Sequence, residues 1–320
     1  GVSLQYCNML ALLLLLAHGA SGLAPARRAA VTMRVEPSIA TGTRRDFGSA
    51  AFGSAALLAV GQRAGAAGPR KITVAGATGQ TGRRIVERLA ALGDVSVVAG
   101  VRDVVAGGKA LGEASVVVRG AMVQRVAGVD AAAVELRRLD VVNDDVATLA
   151  AALQGSDALV IATGFVPGNP FKMDSAAHAV DNLGTIALVD AAKKAGVKRV
   201  VLVSSILTNG RAWGQAGSPG FQITNAFGHV LDEKIVAENY LRASGLDYTI
   251  VRPGGLKATA QTGALVVSKE DTLNSGEVSR DVVADVCVKA LFDAAASNKV
   301  FEIIESAAAP APLGANIFAI

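Results

Sequence analysis

The residues with the clearest chemical purpose lie in the stretch Lys71 to Ala90, KITVAGATGQTGRRIVERLA. Gly76, Gly79 and Gly82 recur at every third position, with Thr78, Gln80 and Thr81 among them. Small residues at that spacing let a backbone approach a pyrophosphate, and the free N–H groups at a helix start bind its charge. The flanks supply the context such a loop needs. Ile72, Thr73, Val74 and Ala75 form a β-branched apolar run suited to a buried strand, and Ile85, Val86 and Leu89 mark one face of an amphipathic helix. Strand, glycine turn and helix in that order point to a dinucleotide site. A Gly-rich turn that merely packs closely is the bland alternative.

Further chemistry falls at the ends of later strands. Residues 95–101 read as a second strand and run into Arg102 and Asp103. In this arrangement the residue after the second strand faces the adenosine ribose: an acid suits the 2′-hydroxyl of NAD, an arginine the 2′-phosphate of NADP. Arg102 comes first, which favours NADP with NAD as the alternative; Asp103 either opposes that reading or caps the next segment. Residues 134–139 form a third strand ending at Asp140 and Val141, where an acid commonly meets the adenine amino group. Residues 158–162 form a central fourth strand, and Thr163 and Gly164 follow at its cofactor-bordering end. Residues 197–203 bring Ser204 and Ser205 to the end of a fifth strand, and residues 247–251 run into Arg252-Pro253-Gly254-Gly255.

The elements between must hold these groups in place. A helix over 145–153 is capped by Asn143 or Asp144. A long helix over 174–195 carries His178, Asp181, Asn182 and Thr185 and stops at Gly196 after Lys193 and Lys194. His178 reads there as a packed or surface residue. A helix over 229–244 contains Lys234, Glu238 and Tyr240, and Ser279 caps one over 280–295. The Gly/Val/Ala-rich stretch 104–132 is expected to hold one helix near 121–127 after a loose, insertion-like part. Residues 165–171, FVPGNPF, form a loop over the pocket, and 206–228 a substrate-side loop that Trp213, Phe221 and Phe227 could line. Strands at 264–268 and 299–304 and a loose Ala/Pro-rich tail from 306 complete the chain. The fold class is α/β: a Rossmann-type, doubly wound parallel sheet in a single domain over 71–305, with a small C-terminal substrate-side region.

Residues 1–70 read as a targeting leader. Met9 and the apolar core 10–17 resemble a signal peptide, too short to span a bilayer. The Arg-, Ala- and Ser/Thr-rich segment 24–43 fits a transit peptide, and Arg44-Arg45 with Ala64-Gly65-Ala66 suggests a twin-arginine export signal. Together they imply a plastid, with the thylakoid lumen or membrane as a narrower destination. The leader carries seven arginines against two acids, whereas the rest carries 24 basic and 25 acidic side chains. The basic balance therefore belongs to the leader, and no basic face for nucleic acid is implied. Cys7 lies in the leader and Cys287 stands alone in the core, so no internal disulfide is expected in the mature chain. Three histidines and one core cysteine make a metal site improbable, and no transmembrane segment is expected in the mature core.

VAGATGQTGRRIV, LDV, VKRVVLVSS, EKIVAENYLRASGLDYTIVRPGGL and VSRDVVADVCVKAL together resemble the atypical short-chain dehydrogenase/reductases. Within these, the chain is most similar to the NmrA-like NAD(P)-binding branch with its plastid Tic-type and photosystem-assembly relatives. The resemblance implies that Gly76, Thr78, Gly79, Gln80, Thr81 and Gly82 hold the pyrophosphate. It further implies Arg102 at the 2′-phosphate, Asp140 and Val141 at the adenine, Ala162, Thr163 and Gly164 under the ribose, and Pro253 and Gly254 at the nicotinamide end. Reductases of this superfamily use Tyr-x-x-x-Lys, the lysine lowering the phenol's pKa and holding the ribose. Lys234 fits the lysine and Ser205 or Ser204 the accompanying hydroxyl, but the tyrosine position is Val230. Tyr240 should face elsewhere, and His229 is the only polar neighbour. Two readings follow: an NADP-dependent oxidoreductase on an unknown small molecule, or a non-catalytic NADP(H) sensor or scaffold for a photosynthetic membrane complex. An epimerase, which needs tightly held NAD, sits less well with Arg102.

Overall fold

The computed structural model of this chain describes residues 68–320, apart from 114, 120, 121, 127, 131 and 132; over 115–119 and 122–126 it describes the backbone alone. The leader segments read from the sequence lie outside the described residues, save for residues 68–70.

The order of elements follows the hydrophobic pattern. Strand β1 (Lys71–Ala75) leads through the glycine turn into α1 (Gln80–Ala91), β2 (Ser96–Val101) and α2 (Val104–Gly112). A hairpin of β3 (Ser115–Arg119) and β4 (Met122–Val126) precedes β5 (Val134–Arg138), α3 (Val146–Ala152) and β6 (Ala158–Ile161). Next come α4 (Met173–Ala177), a π-helical segment (His178–Gly184), α5 (Thr185–Ala195) and β7 (Arg199–Val203). The chain then forms α6 (Pro219–Asn225), α7 (Val230–Ala243), β8 (Asp247–Pro253), β9 (Gly255–Lys257), β10 (Leu265–Lys269), β11 (Glu277–Ser279), α8 (Arg280–Phe292) and β12 (Lys299–Glu305).

Eight strands make one sheet in the order β10-β12-β8-β7-β6-β1-β2-β5, parallel except for β10. The central strands are apolar on both faces because helices cover both. Ile72 and Val74 pack on the α1–α8 side, and Leu159 and Ile161 on the side of α3, α5 and α7. Such two-sided burial is the reason they read as continuous apolar runs rather than alternating ones. β1 pairs with β6 on one side and β2 on the other, so the chain leaves the sheet centre in both directions. That reversal opens a crevice above the strands' C-terminal ends.

Several local expectations give way. Residues 122–126 form a strand of the β3–β4 hairpin, not a helix; the valine-rich SVVVR and MVQRV favour extended pairing over helix. Asp145, rather than Asn143 or Asp144, caps α3 by accepting from Thr148 N at 2.7 Å. A short helix, α6, forms within the loop over 206–228, capped by Ser218. The end of the chain is not a loose tail: Phe318 is fully buried, its ring 4.9 Å from that of Phe301, and its carbonyl accepts from Lys299 Nζ.

Candidate functional site

At the crevice the glycine turn comes first. Gly76 adopts φ +77°, and a Cβ there would sit 2.8 Å from Ala162 O, so the turn is pressed against the end of β6. A Cβ on Gly82 would collide with the Gly76 carbonyl, which fixes how closely α1 approaches the turn. Gly79 caps α1 in an extended conformation with no side-chain acceptor. The first N–H groups of a twelve-residue helix are thereby left to an outside anion. Gln80 is held by Arg84, whose guanidinium donates to its backbone and side-chain oxygens at 2.7 and 3.2 Å. Thr81 is buried, and Thr78 is exposed at the loop tip.

Arg102 and Asp103 part company. Asp103 caps α2 by accepting from Ala106 N at 2.8 Å, whereas Arg102 is exposed at the end of β2. Asp140 is buried with its carboxylate committed to the local turn, accepting from Val142 N, Asn143 N and Asn143 Nδ2. Burial works against the charge, but those donors hold its carboxyl below the usual range. Val141, next along, packs toward Gly184 of the π segment.

The far end gathers around Lys234. Thr163, Asp181, Thr185, Leu202, Val203, Ser204, Lys234 and Ala237 enclose a small cavity of about 10 Å³ above β6 and β7. Lys234 Nζ donates to Asp181 Oδ1 at 2.7 Å, and the other oxygen of Asp181 accepts from Phe165 N at 3.1 Å. One carboxylate thus ties the lysine to the start of the loop over 165–171. The wider π turn brings this about: it sets Asp181 against Lys234 and Asn182 against Glu233 (2.6 Å), while His178 pairs with Glu233 at 2.9 Å. Such wide turns recur at functional sites. Thr163 Oγ1 is buried without a partner.

The two serines differ. Ser204 lines that cavity and donates to Glu238 at 2.5 Å, whereas Ser205 is half-buried and does not line it. Val230 occupies the phenol position, Tyr240 turns away to Asp190 at 2.7 Å, and His229 heads α7 with φ +54° and an exposed ring. Ala162 N is bonded to Ala75 O, Gly164 is exposed, and Pro253 ends β8 with Gly254 N bonded to Ile303 O at 2.9 Å.

Behind this wall lies a charged cluster that the sequence did not announce. Arg252 is fully buried, donating to Glu238 (2.7 Å), Asp271 (2.8 Å) and Glu302. Burial opposes its charge, yet Glu238 and Asp271 raise its pKa further above the ordinary value. Glu302 also accepts from the backbone N–H groups of Asp271, Thr272 and Leu273, and Glu238 from Thr208. One guanidinium therefore fastens α7, β12 and two crevice loops together. The sequence signal was an acid, Glu238, one turn past Lys234 on the sheet-facing side of a helix.

The fold and the loop define a dinucleotide-binding protein, and comparison supplies the family. The NAD(P)H-binding family matches residues 76–294, and the chain belongs to it, within the atypical, NmrA-like short-chain dehydrogenase/reductases with plastid relatives. The chain is 43% identical over 263 residues to an uncharacterised chloroplast protein of Arabidopsis thaliana, covering 81% of this chain and 85% of that one. It is 33% identical over 247 residues to the chloroplast protein TIC 62 of Pisum sativum, covering 75% of this chain but 43% of that one. Among solved structures it resembles an anaerobilin reductase from Escherichia coli O157:H7 with a TM-score of 0.55 and 26% identity, over 75% of this chain and all of that one. No helix among the described residues is long and apolar enough to cross a membrane.

Proposed function

We propose that this chain is a plastid NADP(H)-dependent oxidoreductase acting on a small molecule. The observation that carries the reading is the pairing of a backbone anion cradle at Gly76–Gly82 with Lys234 and the orphaned Thr163 hydroxyl, at opposite ends of one crevice. These residues fit a dinucleotide. The loop N–H groups would take the pyrophosphate, Val141 would border the adenine, Lys234 and Thr163 would hold the nicotinamide ribose, and Pro253 and Gly254 would flank the ring. The bound cofactor supplies hydride; the protein's part is to orient it and to exclude water. Arg102, free while Asp103 is committed to capping, supports NADP over NAD. Chloroplast relatives support the plastid. Calorimetric titration of the purified chain with NADPH and NADH tests this: tighter NADPH binding is expected, and no binding of either overturns it.

A second reading has its own support. Val230 removes the usual proton donor, and Val166 and Phe171 stand 80% and 97% exposed on the loop beside the crevice. A sensor or scaffold for a photosynthetic membrane complex at the thylakoid would use that loop for docking. Turnover of NADPH with any acceptor distinguishes the two.

A further inference from the structure

Asp181 stands between two parts of the crevice. Its side chain is 1% exposed, and its two oxygens serve different partners: Oδ1 accepts from Lys234 Nζ at 2.7 Å, Oδ2 from Phe165 N at 3.1 Å. A carboxylate this buried keeps its charge only while donors surround it, so it cannot turn to water for a substitute. The π-helical segment fixes it there. His178 and Asn182, before and after Asp181, both hold Glu233, at 2.9 and 2.6 Å, and clamp the turn to α7.

The loop over 165–171 depends on this carboxylate. Among the described residues, the bond to Asp181 is the one hydrogen bond that residues 165–168 make. The far end of the loop organises itself: Asn169 accepts from Phe171 N and from Lys172 N, each at 3.0 Å. Val166 and Phe171, both exposed, add little packing. A segment with one anchor and little buried surface opens at low cost.

Resting on the reading that Lys234 holds the nicotinamide ribose, we infer that Asp181 is a positioning residue that couples occupancy of the cofactor site to this loop. Both of its bonds draw on one negative charge. With the ammonium 2.7 Å from Oδ1, Oδ2 binds Phe165 N at 3.1 Å, longer than the roughly 2.7–2.9 Å of a strong charge-assisted bond. A ribose that shares the ammonium's donors leaves more of the carboxylate's charge to the Phe165 N–H, and the start of the loop is gripped more tightly. Linkage makes the effect reciprocal. A pull on Val166 or Phe171 that draws Phe165 off Asp181 returns the carboxylate to Lys234 and lowers the affinity for the cofactor.

Hydrogen exchange of the purified chain, followed by mass spectrometry over peptides spanning 165–172, reads the loop directly. Saturating NADPH should slow exchange there by about threefold or more. Asp181→Asn keeps an oxygen for Phe165 N but carries no charge for Lys234 to share. The slowing should vanish in that variant at NADPH concentrations that saturate it. Slowing of equal size in both forms means that the cofactor shields the loop directly, and overturns the inference. The reciprocal arm removes the loop's N–H. Phe165→Pro should weaken NADPH binding by about fivefold relative to Phe165→Ala, which keeps that N–H. On the Asp181→Asn background the same comparison should differ by about twofold at most, because coupled residues are not additive. Equal losses on both backgrounds, read by calorimetry, overturn the inference as well. If the unsubstituted chain binds NADPH and its loop does not respond, the coupling alone falls. If it does not bind NADPH, the reading beneath falls and the coupling with it.

Discussion

The two ends of the crevice are built by opposite means. The phosphate end uses backbone and small residues drawn from one contiguous stretch, where Gly76, Gly79 and Gly82 act through what they lack. The substrate end uses long charged side chains drawn from distant places: Lys234 meets Asp181 across 53 residues, and Arg252 meets Glu302 across 50. A backbone cradle accepts any pyrophosphate, so it need not change when a family changes its chemistry. A buried charge network is specific to its partners, and it is at this end that the chain departs from the superfamily pattern it resembles, with Val230 in place of tyrosine.

The largest effect should come from breaking the charged end. Arg252→Met leaves Glu238 and Glu302 buried without their cation and is expected to lower stability by about 3–5 kcal/mol, read by urea unfolding. Little change would mean the network is already relaxed by water. At the phosphate end, Gly82→Ala forces α1 away from the Gly76 carbonyl. It should cost about 2–3 kcal/mol, roughly a hundredfold in the Kd for NADPH, with a smaller loss of melting temperature. If stability falls and affinity does not, the turn is structural and the cradle lies elsewhere.

Lys234→Met sharpens the comparison, because it strands Asp181 as well. About tenfold weaker NADPH binding is expected, with the lost stability recovered in the Lys234→Met, Asp181→Asn double variant. Arg102→Ala should weaken NADPH by about five- to tenfold and leave NADH unchanged, measured by titration of nicotinamide fluorescence. Parallel losses for both cofactors would remove Arg102 from the 2′-phosphate.

The smallest effect concerns acid. Burial of Glu305 opposes its charge, but Lys257 and the Ser279 and Thr262 donors win and hold its carboxyl at about 2. A depressed folded-state pKa gives stability that is full above the unfolded value near 4.5 and is lost as pH falls toward 2. Glu305→Gln should therefore flatten the stability–pH curve between about pH 4.5 and 2, followed by the unfolding midpoint. An unchanged slope would shift the acid sensitivity to Asp157 or Asp232, whose carboxyls are also held low by backbone and arginine donors.

Much of this fold was written locally. The β-branched runs at 72–75, 97–101, 158–161 and 199–203 could only be strands buried on both faces, and their alternation with helices required a parallel, doubly wound sheet. The spacing Gly76, Gly79, Gly82 likewise specified an anion cradle, since a glycine's small size and φ freedom are properties of the residue itself. Asp103 carried two readings, and a cap three residues from the N–H that donates to it is a local event that the sequence had already offered.

Other features needed the tertiary structure. Nothing in the order of residues 178–184 marks a π turn, because that widening is set by packing against α7, where Lys234 and Glu233 wait for partners. The same holds for Ser204, which looked equivalent to Ser205 until Glu238 took its hydroxyl, and for Phe318, whose burial depends on a groove beside Phe301. Short-range chemistry fixed the sheet and the phosphate loop; which carboxylate neutralises which cation was decided only when the folded chain brought separated charges out of water together.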